Sequence, residues 1–426
     1  MTRRSEIDRF VRFLAAEFVD FVDKPAEEPL IPDFCKIDTA STDDNINEFE
    51  EYELEKIYLY PIKSCGAQRV HSWPIGSDGL LFDRMWVIVD EYEVAITQKK
   101  CPLMVRVLPE INLANGTITF SSNIIADHEP LTVSLNSIQP MEHDDVNHGV
   151  DDNLQDEENV SVKDSRIVRV CGRRRPAKFP LHEEAKRVNA WLSLVLNCPC
   201  RLMAAVTVKD KHDILPPLSS SSSLTSFKND QPFLVVNQDS VNEVSEMVGR
   251  VVHSLVFRPN FVIRRKNVSS DSLKTHGKKH IANFVASQRR LSLLVSNNTE
   301  RRQLHMVSRG PCQRCSMVNI DPSSGDIVGG ENGVLKALTS SNPGFNCSEN
   351  TKFNFADSSN ENYSRKEYSG KTYFGEFFSL QNESFVSSEG KCVQMISEKL
   401  QERVVWNDFK VEESTIIRIN YGTSHM

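Results

Sequence analysis

Ile111-Asn112-Leu113-Ala114-Asn115-Gly116-Thr117-Ile118-Thr119-Phe120 is the stretch on which the fold class turns. Ile111 and Leu113 alternate before Asn115-Gly116, and Ile118 and Phe120 alternate after it. A two-residue period places apolar side chains on one face of a strand, and Asn-Gly supplies the positive φ angles of a tight hairpin turn. The same pattern recurs upstream. Met85–Val89 is a predicted strand, Asp90–Glu93 a turn, Val94–Gln98 the returning strand, and Ile57–Tyr60 a strand-like run. From Leu54 onward, short apolar runs separated by turn residues predict a β-rich chain, a barrel or sandwich.

Helices punctuate it. Residues 183–196 place Ala185, Val188, Trp191, Leu192 and Val195 on one apolar side. Gln231–Val236 is a predicted strand and Ser240–Val251 a helix; after a turn at Gly310, Met317–Ile320 is a predicted strand and Asp321–Gly325 a turn. Residues 5–23 form an amphipathic helix by spacing, with Phe10, Val11, Leu14, Phe18 and Phe21 on its apolar face, stopped by Pro25 and Pro29. Residues 37–53 are a polar, acidic linker, 141–158 an acidic surface insertion without calcium-loop spacing, and 216–223 a serine-rich break. Residues 264–304 have no assignable pattern, and 339–371 are loop-like in composition. The whole is mainly β with some α.

With 426 residues, two or three domains are expected. A formal net charge of −8 argues against a broad nucleic-acid surface, though a local basic pocket stays open. No apolar run is long enough for a transmembrane helix, and Asp8, Arg9, Arg12, Glu17 and Asp20 interrupt any signal-peptide core. Ten cysteines without a secretory signal point to a reducing compartment, the cytoplasm, with thiols free, catalytic or metal-bound.

Three segments carry chemistry. In Gly310-Pro311-Cys312-Gln313-Arg314-Cys315, a C-x-x-C pair can chelate a metal, form a redox couple, supply one thiolate to a cofactor, or lie inert in a core. Arg309 and Arg314 would favour the thiolate. Zinc would need two further ligands, with His276 and His280 or Cys198 and Cys200 as the available pairs. Tyr60-Pro61-Ile62-Lys63-Ser64-Cys65-Gly66, followed by Asp83-Arg84, presents an ammonium, a hydroxyl and a guanidinium; surface residues and an Asp–Arg pair are the competing reading. Phe257-Arg258-Pro259-Asn260-Phe261 adds a guanidinium and an amide around a backbone-fixing proline. Together Lys63, Arg84 and Arg258 define an anion site, with Cys315 as a soft ligand beside it.

In this order the segments resemble the MOSC family. Tyr60–Cys65, Gly79–Trp86, Thr97–Pro102 with Val107–Pro109, Phe257–Ile263, Gly310–Cys315, Asp321–Gly325 and Gly370–Gly375 all look like family landmarks, spanning about 52–385. The resemblance implies an N-terminal β-barrel region followed by a β-rich MOSC domain. The division expected is 1–51 residual helix and linker, 52–205 β-barrel domain, 206–390 MOSC domain and 391–426 C-terminal extension. The cofactor implied is molybdopterin carrying molybdenum, with Lys63, Ser64, Arg84, Arg258 and Asn260 on its phosphate side. Cys315, ahead of Cys312, is implied as the thiolate at the metal.

Leu59–Cys65, Trp73–Gly76 and Gly310–Cys312 resemble the C-terminal part of eukaryotic molybdenum cofactor sulfurases. That resemblance implies oxo-to-sulfido exchange at molybdenum, with sulfur from a cysteine desulfurase domain carrying pyridoxal phosphate. This sequence lacks such a domain. Xanthine dehydrogenase and aldehyde oxidase are the implied recipients, with neither nucleic acid nor membrane as partner. A molybdenum oxidoreductase of the amidoxime-reducing type is the alternative, and a degenerate or zinc-stabilised binding module the second. Two segments depart from the family pattern: 264–304 lacks the acidic, Trp-containing stretch, and Phe179–Glu184 lacks the Asp-Cys-Gly stretch.

Overall fold

A computed structural model of the chain describes residues 49–76, 79–125, 128–138, 165–180, 183–205, 226–265, 289–296, 301–340, 372–380, 410–412 and 416–421. The helix expected over 5–23, the acidic segment 141–158, the serine run, and His276 and His280 lie outside them.

The hairpin forms. Val107–Asn112 pairs antiparallel with Thr117–Ser122, with Ile111 opposite Ile118, and Leu131–Ser134 adds a third strand. The connection is longer than the sequence predicts. Leu113 leaves the ladder for a four-residue loop closed by Gly116 at φ 63°, and it buries its side chain there. Phe120 from this sheet meets Trp191 of the helix Glu183–Val195 at 6.1 Å between ring centroids. The five apolar residues predicted for that helix are all buried.

A second, four-stranded antiparallel sheet runs in the order Trp86–Val89, Arg201–Ala205, Arg173–Lys178, Ser165–Val170. Val94–Gln98 returns along Trp86–Val89 only in part, with Asp90 N donating to the Val94 carbonyl and Ile96 N to that of Ile88. Val94 and Ala95 make single bridges to different partners, Arg169 and Val89, and the chain turns at Thr97, whose carbonyl accepts from Lys100 and Cys101.

Seven of the remaining strands close a circuit. Arg301–Gln313 pairs with Tyr373–Leu380, then in turn come Phe233–Asn237, Phe261–Arg265, Phe49–Leu59, Ile416–Tyr421 and Arg289–Ser296, which pairs back onto Arg301–Gln313. Every contact is antiparallel except Phe233–Asn237 with Phe261–Arg265. Those two are joined through the helix Gln238–Val248, the crossover a parallel pair requires. Asn237 caps this helix by accepting from Asp239 N, and Gly249 ends it at φ 67°. The helix therefore starts and stops earlier than Ser240–Val251, before Val251 and its 87% exposure.

One apolar core runs through both parts of the chain. It includes Ile57, Trp86, Val107, Phe120, Trp191, Phe233 and Phe378. A smaller core holds Val241, Val244, Phe257, Val318, Val334, Leu338 and Phe374 beneath the helices Gln238–Val248 and Val334–Ser340.

Candidate functional site

The strand Phe49–Leu59 delivers Tyr60 into the interior, where its ring is 1% exposed. The Arg84 guanidinium lies 4.2 Å from the ring centroid and that of Arg258 4.4 Å. Cation–π contacts of this kind stabilise by about 0.5–2 kcal/mol each. Asp83, also 1% exposed, orders the group: its carboxylate accepts from Tyr60 N at 3.0 Å and from Arg84 Nη1 at 2.5 Å. Arg84 Nη2 donates to the Arg258 carbonyl at 3.2 Å, and Arg258 Nη1 donates to the Cys65 carbonyl at 2.8 Å. The Asp83–Arg84 pair named in the alternative reading does form, and it is buried as an internal brace, whereas Lys63 is not a surface lysine. Arg84 precedes the strand, in a turn with φ 54°.

Lys63 is 8% exposed and donates to the Phe227 carbonyl at 2.8 Å and to Asn229 Oδ1 at 2.5 Å. An ammonium has three N–H groups, so one is left for a ligand. Burial lowers its pKa to about 8, and the guanidinium groups of Arg84 and Arg258 add to the effect. Burial acts the same way on Arg258, which nevertheless remains charged as a guanidinium.

These side chains face one cavity of about 710 Å³, within the range of small-molecule sites. Lys63, Ser64, Arg84, Arg258, Asn260, Cys312 and Cys315 all line it, so the three sequence segments do converge. Eight basic side chains and no acidic one line it among the described residues, in a chain of net charge −8. Lys99, Lys100, Arg169 and Lys228 were not foreseen, although Lys99 and Lys100 lie in a stretch marked as a family landmark. Cys171, Asn229 and Gln231 are further wall residues that sequence reasoning missed. No local pattern marks them, because a hairpin tip and a connecting segment reach the cavity only through the tertiary fold.

Asn260 lines the cavity, yet its amide is committed to the scaffold. Oδ1 accepts from Leu234 N and Nδ2 donates to the Tyr58 carbonyl, both at 3.3 Å. It holds the turn that carries Arg258.

The cysteine loop closes the strand Arg301–Gln313 and enters a short 3-10 turn, Ser316–Asn319, where a strand was predicted. Val318 and Ile320 go into the interior there, and Ile320 finds only a single bridge, to Ile327. Cys315, half-buried, caps this turn and faces the cavity. Cys312 is buried, and burial raises its thiol pKa despite the opposing charge of Arg314. Arg314 mainly ties the loop down. Its Nε donates to the Phe374 carbonyl at 2.7 Å and its Nη1 to that of Phe257 at 2.9 Å. Arg309 donates to Ser379 Oγ at 2.6 Å.

No group of three or more His, Cys, Asp or Glu with metal-holding geometry occurs among the described residues. Cys200 hydrogen-bonds with Ser193, and burial raises its thiol pKa to about 11. Nor is any described helix long and apolar enough to cross a membrane.

A strand-rich chain whose two parts share one cationic, thiol-bearing cavity matches two family models in tandem. The MOSC N-terminal beta barrel domain covers residues 51–197 and the MOSC domain residues 223–353. The chain belongs to the MOSC-domain family. It is 27% identical over 325 residues to a molybdenum cofactor sulfurase of Homo sapiens, covering 70% of this chain and 30% of that protein. It is 28% identical over 339 residues to molybdenum cofactor sulfurase 2 of Culex quinquefasciatus, covering 76% and 36%. A 139-residue stretch is 37% identical to the Anopheles gambiae sulfurase, covering 32% and 16%. The chain spans about a third of the length of the first two relatives.

Proposed function

We propose that this chain binds molybdenum cofactor and presents its metal for sulfuration, as the C-terminal part of a molybdenum cofactor sulfurase. One observation carries the reading: a cavity that, among the described residues, has eight basic side chains and no acidic one also holds a half-buried thiol, Cys315. Its size and charge fit a phosphorylated pterin, and the thiol is a soft donor suited to molybdenum. Tyr60, whose buried hydroxyl has no hydrogen-bond partner among the described residues, lines a smaller chamber that shares Val256, Arg258 and Met317 with the main cavity. Leaving such a hydroxyl unsatisfied costs about 1–3 kcal/mol, so a polar guest is favoured there.

In this reading Lys63 offers its third N–H to the phosphate, Ser64 its hydroxyl, and Arg84 and Arg258 their remaining donors. Asn260 acts through the Arg258 turn. Asp83 holds Arg84 in position, and the Cys315 thiol would hold the metal, with Cys312 also in the cavity wall. When bound, the cofactor would supply a molybdenum centre able to take a sulfido ligand in place of oxo. The sulfur comes from a pyridoxal-phosphate cysteine desulfurase domain outside these 426 residues. Recipient enzymes would be molybdenum hydroxylases such as xanthine dehydrogenase and aldehyde oxidase, in the cytoplasm.

The test is to purify the chain from a host that makes the cofactor and to measure molybdenum, zinc and oxidised-pterin fluorescence. Wild type is expected to carry molybdenum and pterin. Cys315→Ala is expected to keep pterin and lose most of the metal, and Lys63→Ala with Arg258→Ala to lose both. Zinc without pterin in wild type would sink the proposal. Cofactor together with amidoxime reduction would move it to the oxidoreductase alternative.

A further inference from the structure

The cavity holds a thiol that the proposed function leaves unused. Cys171 lines it together with Cys312 and Cys315, and is the exposed free cysteine among the described residues. It occupies the tip of the hairpin between Ser165–Val170 and Arg173–Lys178, followed by Gly172. The tip is fixed in place: Arg173 donates to the Asn229 carbonyl and, at 2.7 Å, to Asp230 Oδ1. That connecting segment is also the one whose Phe227 carbonyl and Asn229 side chain hold the Lys63 ammonium. The hairpin tip that carries Cys171 is thereby docked on the same segment that holds Lys63. Its backbone has φ 49°. Asn or Gly would fill this hairpin position without the steric cost that Cys bears.

We infer that Cys171 is the entry thiol of the cavity, taking sulfane sulfur from a donor persulfide at the surface and passing it inward to Cys315. The inference rests on the sulfuration reading above and adds a residue to it. In the first exchange the Cys171 thiolate attacks the outer sulfur of the donor persulfide. A new S–S bond forms to Cys171, the donor's S–S bond breaks, and the donor cysteine leaves as a thiolate that takes up a proton. In the second, the Cys315 thiolate attacks the terminal sulfur on Cys171 in the same way, and Cys171 is returned as a thiolate. The transferred sulfur keeps its oxidation state in both exchanges, so neither consumes an oxidant or reductant. Eight basic side chains line the cavity in which both exchanges would take place.

The experiment uses the reduced full chain and glutathione persulfide as the probe. Samples are quenched with an alkylating agent over time, and extra sulfur is located on peptides by mass spectrometry. In wild type, added sulfur is expected on Cys171 first and on Cys315 later. In Cys171→Ser the Cys315 rate is expected to fall on the order of tenfold or more, the advantage of a held over a diffusing donor. Direct alkylation of Cys315 by iodoacetamide should be unchanged, which shows that the wall is intact. Equal Cys315 labelling in Cys171→Ser, or no extra sulfur on Cys171 in wild type, overturns the inference while cofactor binding stands. Absence of pterin from wild type overturns the functional reading, whatever Cys171 does.

Discussion

Ser64, Arg84, Cys171 and Arg258 all have positive φ, between 49° and 70°, and all four line one cavity. Left-handed backbone costs a non-glycine residue about 1–2 kcal/mol. Strain of this kind gathers where side chains are aimed for function. Ser64→Gly is therefore expected to raise thermal stability, by about 1 kcal/mol, and to weaken cofactor binding through loss of the hydroxyl. Melting curves and pterin retention measured on the same samples would check both halves. Lys63 gives a second expectation, with opposite signs for stability and binding. Its pKa falls from 10.5 unfolded to about 8 folded, so between these values the unfolded chain holds the extra proton. This group's contribution to stability therefore rises with pH across that window. Binding of a phosphate anion needs the ammonium and should weaken as pH rises above about 8. A titration of phosphate affinity from pH 7 to 9.5 should show the decline in wild type and lose it in Lys63→Met. The basic character of Lys63, Arg84 and Arg258 was legible in the sequence because each sits in a short motif. The Tyr60 ring between two guanidinium groups was not, since its partners lie 24 and 198 residues downstream.

At the scale of elements, period-2 alternation and helical spacing located the hairpin and the helix at 183–195 because their apolar faces meet a core directly. The same reading failed at Met317–Ile320, where Val318 and Ile320 are buried from a short 3-10 turn, and held only in part at Val94–Gln98, where the pairing with residues 88–90 ends before Thr97. Tyr373–Leu380 shows how an element can serve the site from a distance. Gly375 has φ 73°, and an added Cβ would lie 2.9 Å from Val236 Cγ2 and 3.1 Å from Arg314 Nη2. Gly375→Ala is expected to cost about 1–2 kcal/mol in backbone conformation alone. It would also dislodge Arg314 from the Phe374 carbonyl and loosen the cysteine loop, so metal content should fall along with the melting temperature. Gly172→Ala is the control: its φ is 79°, but nothing lies within 4 Å of the added Cβ. It should show the backbone cost without loss of metal.

Over the whole molecule, strand closure depends on segments far apart in sequence. Ile416–Tyr421 lies between Phe49–Leu59 and Arg289–Ser296, so its backbone pairs on both sides. A proline inside such a strand removes a donor, and interior strands do not tolerate it. Ile419→Pro is expected to open the circuit, lower the melting temperature and expose strand edges that promote self-association. Scanning calorimetry and light scattering would detect both effects. The mainly β class was legible from the sequence, whereas this circuit was not: no local pattern links residues 49–59 to 416–421.

The Tyr60 arrangement also bears on inheritance. Arg84 comes from the matched N-terminal domain and Arg258 from the matched MOSC domain, and they clasp the same ring. The boundary between the two modules thus runs through the pocket. A chimera joining one half of this chain to the other half of a distant relative would have to preserve that clasp. The two halves can diverge freely on their outer faces, but at the pocket they must change together.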